Sequence, residues 1–151
     1  MIGRVSQLDA ALQAKLEQRD LIVFDGECVL CSGFFRFMLR RDRSRRFAFA
    51  TAQSPLGQSL YQALGLPTDD FETNLVVTEV RIHGHLDAFA AAMGASGWPW
   101  RLLGGVKFLP RAIKMPFYRL IARNRFRIFG RYDQCMIPDA PLRARFAPDG
   151  F

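Results

Sequence analysis

Leu21-Ile22-Val23-Phe24-Asp25-Gly26-Glu27-Cys28-Val29-Leu30-Cys31 is the stretch on which the reading of this chain turns. Its first four residues are a continuous apolar run of strand length that stops at Asp25-Gly26, the pattern of a strand buried on both faces. Beyond it, Cys31, Phe34, Phe35, Met38 and Leu39 fall at i, i+3, i+4, i+7 and i+8, a single apolar stripe on a helix. Arg36, Arg40, Arg41 and Arg43 take the other side. A buried strand thus runs into an amphipathic helix, with two cysteines at the junction.

On the N-terminal side, Val5, Leu8, Leu12 and Leu16 recur at helical spacing, and Ser6 with Asp9 resembles a capping box. Residues 1–19 are therefore expected to form a short amphipathic helix. On the C-terminal side, 47–52 reads as a second strand. The helix after it has Ser54 as N-cap, Pro55 at its first position and Gly65 just past its end. Strands are expected at 75–78 and 81–83, joined without the Gly or Asn that a tight hairpin favours. A small-residue helix follows at 87–95. From Trp98 to about Arg125 the pattern is helical, with breaks at Gly104-Gly105, Pro110 and Pro116 that predict two or three short helices. Residues 126–151, rich in Arg, Pro and aromatics, read as an ordered tail. The expected organisation is an α/β core over 20–97, with a helical C-terminal extension and tail over 98–151 in the same domain.

With 151 residues the chain can bury a real core without disulfide staples. Half of its residues are hydrophobic, 14 are Phe and 23% are charged, which excludes intrinsic disorder. Its formal charge of +7 favours an acidic partner surface but names no function. Three cysteines are too few for a secreted disulfide scaffold and leave an odd thiol. The N-terminus lacks an apolar h-region, and no apolar run reaches the ~18 residues of a spanning helix. A cytoplasmic protein is expected.

The chemistry lies in Cys28 and Cys31. Two cysteines three apart at a helix start share one face, within reach of the roughly 5.5 Å Cα separation of a disulfide. Free N–H groups and the helix dipole favour a Cys28 thiolate, which makes Cys28 the expected nucleophile, exposed and of lowered pKa. Cys31 begins the apolar stripe and is expected to be shielded, resolving a mixed disulfide formed on Cys28. Asp25, at the end of the strand, is placed to accept or return the Cys31 proton. Glu27 should oppose the dipole by repulsion, with the arginines from Arg36 onward screened two turns away.

Other readings compete. A bare Cys-x-x-Cys is also half a zinc site, but Cys135, His83 and His85, the remaining candidate ligands, form no second knuckle. No metal and no cofactor is expected. The alternative to a redox enzyme is a non-catalytic adaptor or metal-binding module. The arginine-rich helix reads as a solvated face, and without a groove-reading motif nucleic acid is not an expected partner. Arg119, Arg123, Arg125, Arg127 and Arg131, with Phe117, Tyr118, Phe126 and Phe129, could rest weakly on an anionic membrane, although core packing of the aromatics is the simpler expectation. His83 and His85 read as exposed polar residues, and Trp98 and Trp100 as packing over the sheet.

Asp25, Cys28 and Cys31 match the Asp-x-x-Cys-x-x-Cys motif of the DCC family, which the chain resembles well beyond that motif. Phe24-Asp25-Gly26, Ala52-Gln53-Ser54-Pro55 with Gly57, Leu64-Gly65-Leu66-Pro67, Asp87-Ala88, Trp100-Arg101-Leu102-Leu103, Tyr118, Ala122-Arg123-Asn124-Arg125-Phe126 and Phe129-Gly130-Arg131 are similar to the family pattern, over about residues 20–138. The resemblance implies a thioredoxin-like sheet with flanking helices. It also implies thiol-disulfide oxidoreductase activity on disulfide-containing proteins or small thiols, with Cys28 and Cys31 as the redox pair and Asp25 as the third motif residue. The chain departs from the pattern at the short Glu79-Val80 turn and at Leu86 before Asp87. No Pro stands where thioredoxins place a cis-Pro; Thr73 or Asn74 is expected there, so substrate backbone pairing should differ. The resemblance places Cys135 in the C-terminal segment. Its neighbours Met136, Ile137 and Pro138 favour a buried, unpaired thiol over a third redox thiol or a metal ligand.

Overall fold

The computed structural model describes residues 2–16, 19–69, 71–133 and 138–151. Five strands form one sheet: β1 (Gly3–Arg4), β2 (Asp20–Phe24), β3 (Phe47–Thr51), β4 (Leu75–Val77) and β5 (Arg81–Gly84), in the order β1-β5-β4-β2-β3. β2 and β3 are parallel, with Ile22 opposite Phe49, because α2 (Val29–Arg41) crosses between them. β4 runs antiparallel to β2 and β5 antiparallel to β4. Helices α1 (Ala10–Leu16), α3 (Pro55–Ala63), α4 (His85–Ala95), α5 (Arg111–Phe129) and α6 (Ala140–Arg143) complete a thioredoxin-like arrangement with a helical C-terminal addition.

Every residue of β2 is buried, so its alternating side chains feed two cores. Leu21 and Val23 pack with Leu12 and Leu16 of α1 and Leu56, Leu60 and Tyr61 of α3. Ile22 and Phe24 face the other way, against Phe35 and Met38 of α2 and Ala88, Ala92 and Met93 of α4. Phe24 stacks on Phe35 with ring centres 4.6 Å apart, and Phe35 meets Phe49 edge-on at 4.9 Å. The tail closes the outer edge of β3: Phe49 N–H donates to Arg145 O, Ala147 N–H to Phe49 O and Thr51 N–H to Gly150 O.

Several elements differ from the sequence expectation. Val5–Gln7 forms a separate 3-10 turn and α1 starts only at Ala10, capped by Asp9, whose carboxylate accepts from Leu12 N–H at 2.8 Å. β1 is too short for periodicity to reveal; it exists because it pairs with β5, Gly3 opposite Ile82. The Glu79-Val80 turn has no left-handed residue; the Thr78 hydroxyl and N–H both donate to Arg81 O. Pro116 does not break its helix. α5 continues through it for 19 residues, and the carbonyl that Pro116 leaves without a donor, that of exposed Ala112, can be solvated. The preceding stretch, Trp100–Phe108, is 3-10 rather than α. Phe117 and Phe129 are exposed, not core. Trp98 is 79% exposed, whereas Trp100 packs edge-on against Phe37. His83 and His85 are half-buried rather than exposed.

The turn from β3 into α3 is held by backbone proximity. Ser54 caps α3, its hydroxyl accepting from Gly57 N–H, and a Cβ on Gly57 would meet Thr51 O and, at 2.7 Å, Ala52 O. Gly57→Ala is expected to lower stability by about 3 kcal/mol, at the upper end of overpacking costs, because backbone cannot step aside as a side chain can. A urea denaturation midpoint equal to wild type would show that the turn yields.

Candidate active site

Cys28 is the N-cap of α2 rather than a residue of its first turn. Its backbone is extended, and its Sγ accepts from Cys31 N–H at 3.4 Å. Cys28 N–H donates in turn to Asp25 O, and Ser32 N–H to Cys28 O. The short Asp25-Gly26-Glu27 turn thereby delivers the sulfur onto the helix start, where the amides and the dipole act on it. Both cysteines are free thiols. The expected shielding of Cys31 is present, but the expected exposure of Cys28 is not, since its accessible surface is 0%.

The two thiols differ in acidity. Hydrogen bonding from Cys31 is the main influence that brings Cys28 down to about 7; burial opposes it, and the Arg125 charge assists. The same hydrogen bond drives the Cys31 thiol strongly upward, reinforced by burial and by the charge on Cys28. A proton held on Cys31 and shared toward the Cys28 sulfur satisfies both.

Asp25 lies directly beyond β2, 2% exposed. Its Oδ1 accepts from Gln53 Nε2 at 2.6 Å and from Glu27 N–H at 3.0 Å, and its Oδ2 from Arg125 at 3.1 Å. Arg125 comes from the inner face of α5, is itself buried, and lies with its guanidinium 4.6 Å from the Phe126 ring centre. The cation that acts on the thiols is thus Arg125, a hundred residues from its carboxylate partner, rather than the arginines of α2. Spacing alone could not single it out; the one sequence signal was its place in the Ala122–Phe126 segment.

Glu27 does not act on Cys28 as an unpaired charge. Arg131 forms a two-pronged ion pair with it through Nε and Nη2, while Tyr132 N–H donates to Glu27 O at 2.8 Å. Arg131 also makes an antiparallel bridge to Cys28, so the segment after α5 lies like a strap across Glu27 and Cys28. A cavity of about 440 Å³ opens beside it, with Gln53, Thr68, Phe71, Phe126 and Arg131 among its lining.

Thr73 is buried before β4, where the register, continued past Val23 opposite Leu75, brings it across from Asp25. Its carbonyl accepts from the Tyr61 hydroxyl, its Oγ1 lies 3.3 Å from His85 Nε2, and the Tyr118 hydroxyl donates to Glu72 O at 2.5 Å. Burial raises the pKa of both tyrosine hydroxyls, that of Tyr118 to about 12, so both remain protonated donors. Tyr61 as a clamp on this segment was not anticipated from the sequence. Cys135 lies outside the described residues. Among the described residues no group of three or more His, Cys, Asp or Glu side chains could hold a metal ion.

The model of the DCC1-like thiol-disulfide oxidoreductases matches residues 22–131. The chain is similar to the uncharacterized protein YuxK of Bacillus subtilis (strain 168), 33% identical over 128 residues, covering 85% of this chain and 93% of that one. It is also similar to the DCC family protein At1g52590, chloroplastic, of Arabidopsis thaliana, 31% identical over 120 residues, covering 79% of this chain and 70% of the other. No solved structure matches it.

Removing one partner of a buried ion pair strands the other charge. Arg125→Met should therefore cost about 3–5 kcal/mol, and adding Asp25→Asn should recover much of that loss. The same single variant should move the Cys28 titration, followed by thiolate absorbance or pH-dependent alkylation, upward from about 7, because a lowering charge is gone. An unmoved midpoint would mean that Arg125 is structural only.

Proposed function

This chain belongs to the DCC1-like thiol-disulfide oxidoreductase family, and from that premise we propose that it exchanges a Cys28–Cys31 dithiol with disulfides of proteins or small thiols, as a disulfide reductase. The observation that carries this reading is the helix N-cap at which Cys31 N–H donates to Cys28 Sγ, an arrangement that stabilises a thiolate on Cys28 and not on Cys31.

In the proposed cycle, the Cys28 thiolate attacks a substrate disulfide. The substrate S–S bond breaks, one substrate sulfur leaves as a thiolate and takes up a proton, and Cys28 stays joined to the other. Cys31 then gives its proton to Asp25, attacks the Cys28 sulfur and expels the second substrate thiol, which takes up the proton. The protein ends as the Cys28–Cys31 disulfide, oxidised by two electrons, and an external dithiol returns it to the start. Asp25 suits this role because it is coupled by charge to both thiols, while Gln53 and Arg125 hold it in place.

The Glu72–Asn74 segment is the proposed lip beside the site, with Thr73 in the place of a cis-Pro. The carbonyls of Glu72 and Thr73 are already engaged by Tyr118 and Tyr61, which supports a substrate pairing unlike that of thioredoxins. The proposed role of the strap is to gate Cys28. A sulfur with no accessible surface cannot meet a protein disulfide until Arg131 and Tyr132 move aside.

Insulin reduction driven by dithiothreitol tests the activity. Wild type should turn over, Cys28→Ser should be inactive, and Cys31→Ser should accumulate a mixed disulfide on Cys28 visible by mass spectrometry. Asp25→Asn should keep the fold but slow resolution and shift the pH profile. Wild type no faster than the dithiothreitol background would favour a non-catalytic adaptor.

The gate is tested by iodoacetamide labelling, read site by site after digestion. Cys28 should label ahead of Cys31, and Arg131→Ala should speed it severalfold by loosening the strap. Preferential labelling of Cys31 would reverse the two roles.

A further inference from the structure

From Ala88 to Tyr132 the chain carries nine Lys and Arg residues and no Asp or Glu. Over the same region the surface is unusually apolar. Ten of the fourteen large hydrophobic residues exposed among the described residues lie between Trp98 and Phe129, including Trp98, Phe108 at 80%, Phe117 at 58% and Leu120 at 64%. Scattered exposed hydrophobics are ordinary, but a concentration like this marks an interaction surface.

α5 shows how the two properties are arranged. At about 100° per residue, its inner face carries Ala122 and Arg125, both buried. Ile113, Phe117, Leu120 and Ile128 fall together on the opposite side, all exposed, and Arg119, Arg123 and Arg127 form the stripe beside them. α5 therefore has two working faces, one turned to the thiols and one left exposed, on which Arg123 reaches Glu72 at 3.9 Å. Its 19 residues span roughly 28 Å, and no helix among the described residues is long and apolar enough to cross a membrane.

We propose that the outer face of α5, with the 3-10 segment before it, docks the protein on an anionic lipid bilayer, lying in the headgroup plane with Phe117 and Leu120 inserted and Arg119 and Arg127 on lipid phosphates. Apolar residues flanked by cations on a convex helix fit an interface that is oily within and negative at its rim. A second copy fits poorly, because pairing two α5 faces would oppose two stripes of like charge with no acid in α5 to offset them.

Flotation of the intact protein with phosphatidylcholine vesicles, with and without about 30% phosphatidylglycerol, tests this directly. Binding is expected only with the anionic lipid, together with a blue shift of tryptophan emission. Phe117→Ser with Leu120→Ser should weaken it by about tenfold or more while leaving Cys28 labelling unchanged. Arg119→Ala with Arg127→Ala should weaken it by about thirtyfold, as expected for two charges near such a surface. The proposal is overturned by absence of binding, by equal binding to neutral vesicles, or by a wild-type dimer in light scattering that dissociates on the Phe117 and Leu120 substitutions.

Discussion

Arg125 meets Asp25 with both side chains almost fully out of water, an arrangement each charge makes tolerable only for the other. Much of the molecule is organised so that this meeting occurs. β2 must end at Phe24 so that Asp25 turns inward, and Gln53, just after β3, must reach the remaining carboxylate oxygen. α5 must run unbroken through Pro116 for Arg125 to arrive on its inner face. Because an apolar pair of similar volume would serve stability as well, the charges are better understood through the electrostatic environment they set for Cys28 and Cys31.

The sheet supplies the rigidity this requires. Phe24, Phe35, Phe49 and Phe146 form a layer of interlocking rings beneath the start of α2. The position of the Cys28 sulfur is therefore inherited from a packed core rather than from a free loop. Behind the layer, Asp42 is saturated by Arg46 N–H, Phe47 N–H and Arg145, which joins the end of α2, the start of β3 and the tail.

What the sequence disclosed and what it hid follow from the range of the forces involved. The strand at 20–24, the helix after it and the Ser54-Pro55 start of α3 were legible because their causes are local: periodicity, caps and a proline at N1. The closeness of Cys28 and Cys31 was legible for the same reason. Hidden were the features created by distant partners. β1 needs β5, the neutralisation of Glu27 needs Arg131, and Arg125, the cation that acts on the thiols, sits a hundred residues from its partner Asp25. The bridge between Cys28 and Arg131 belongs here too, since its second partner follows α5. Pro116 misled because its local cost was readable while the solvation that absorbs it was not. Phe117 and Phe129 misled because hydrophobicity alone does not say which side of a helix the core is on.

On the proposed gating, the strap across Cys28 separates how reactive the thiolate is from how often it can react. If closure is fast compared with attack, the observed rate is the intrinsic rate multiplied by the open fraction, and a tighter clasp slows every reagent by one common factor. If attack is fast, the rate becomes that of opening and ceases to depend on reagent concentration or thiol acidity. A partner that itself displaces Arg131 from Glu27 escapes both limits. Selectivity would then arise from a substrate's ability to lift the strap, while adventitious oxidants, however strong, must wait for it.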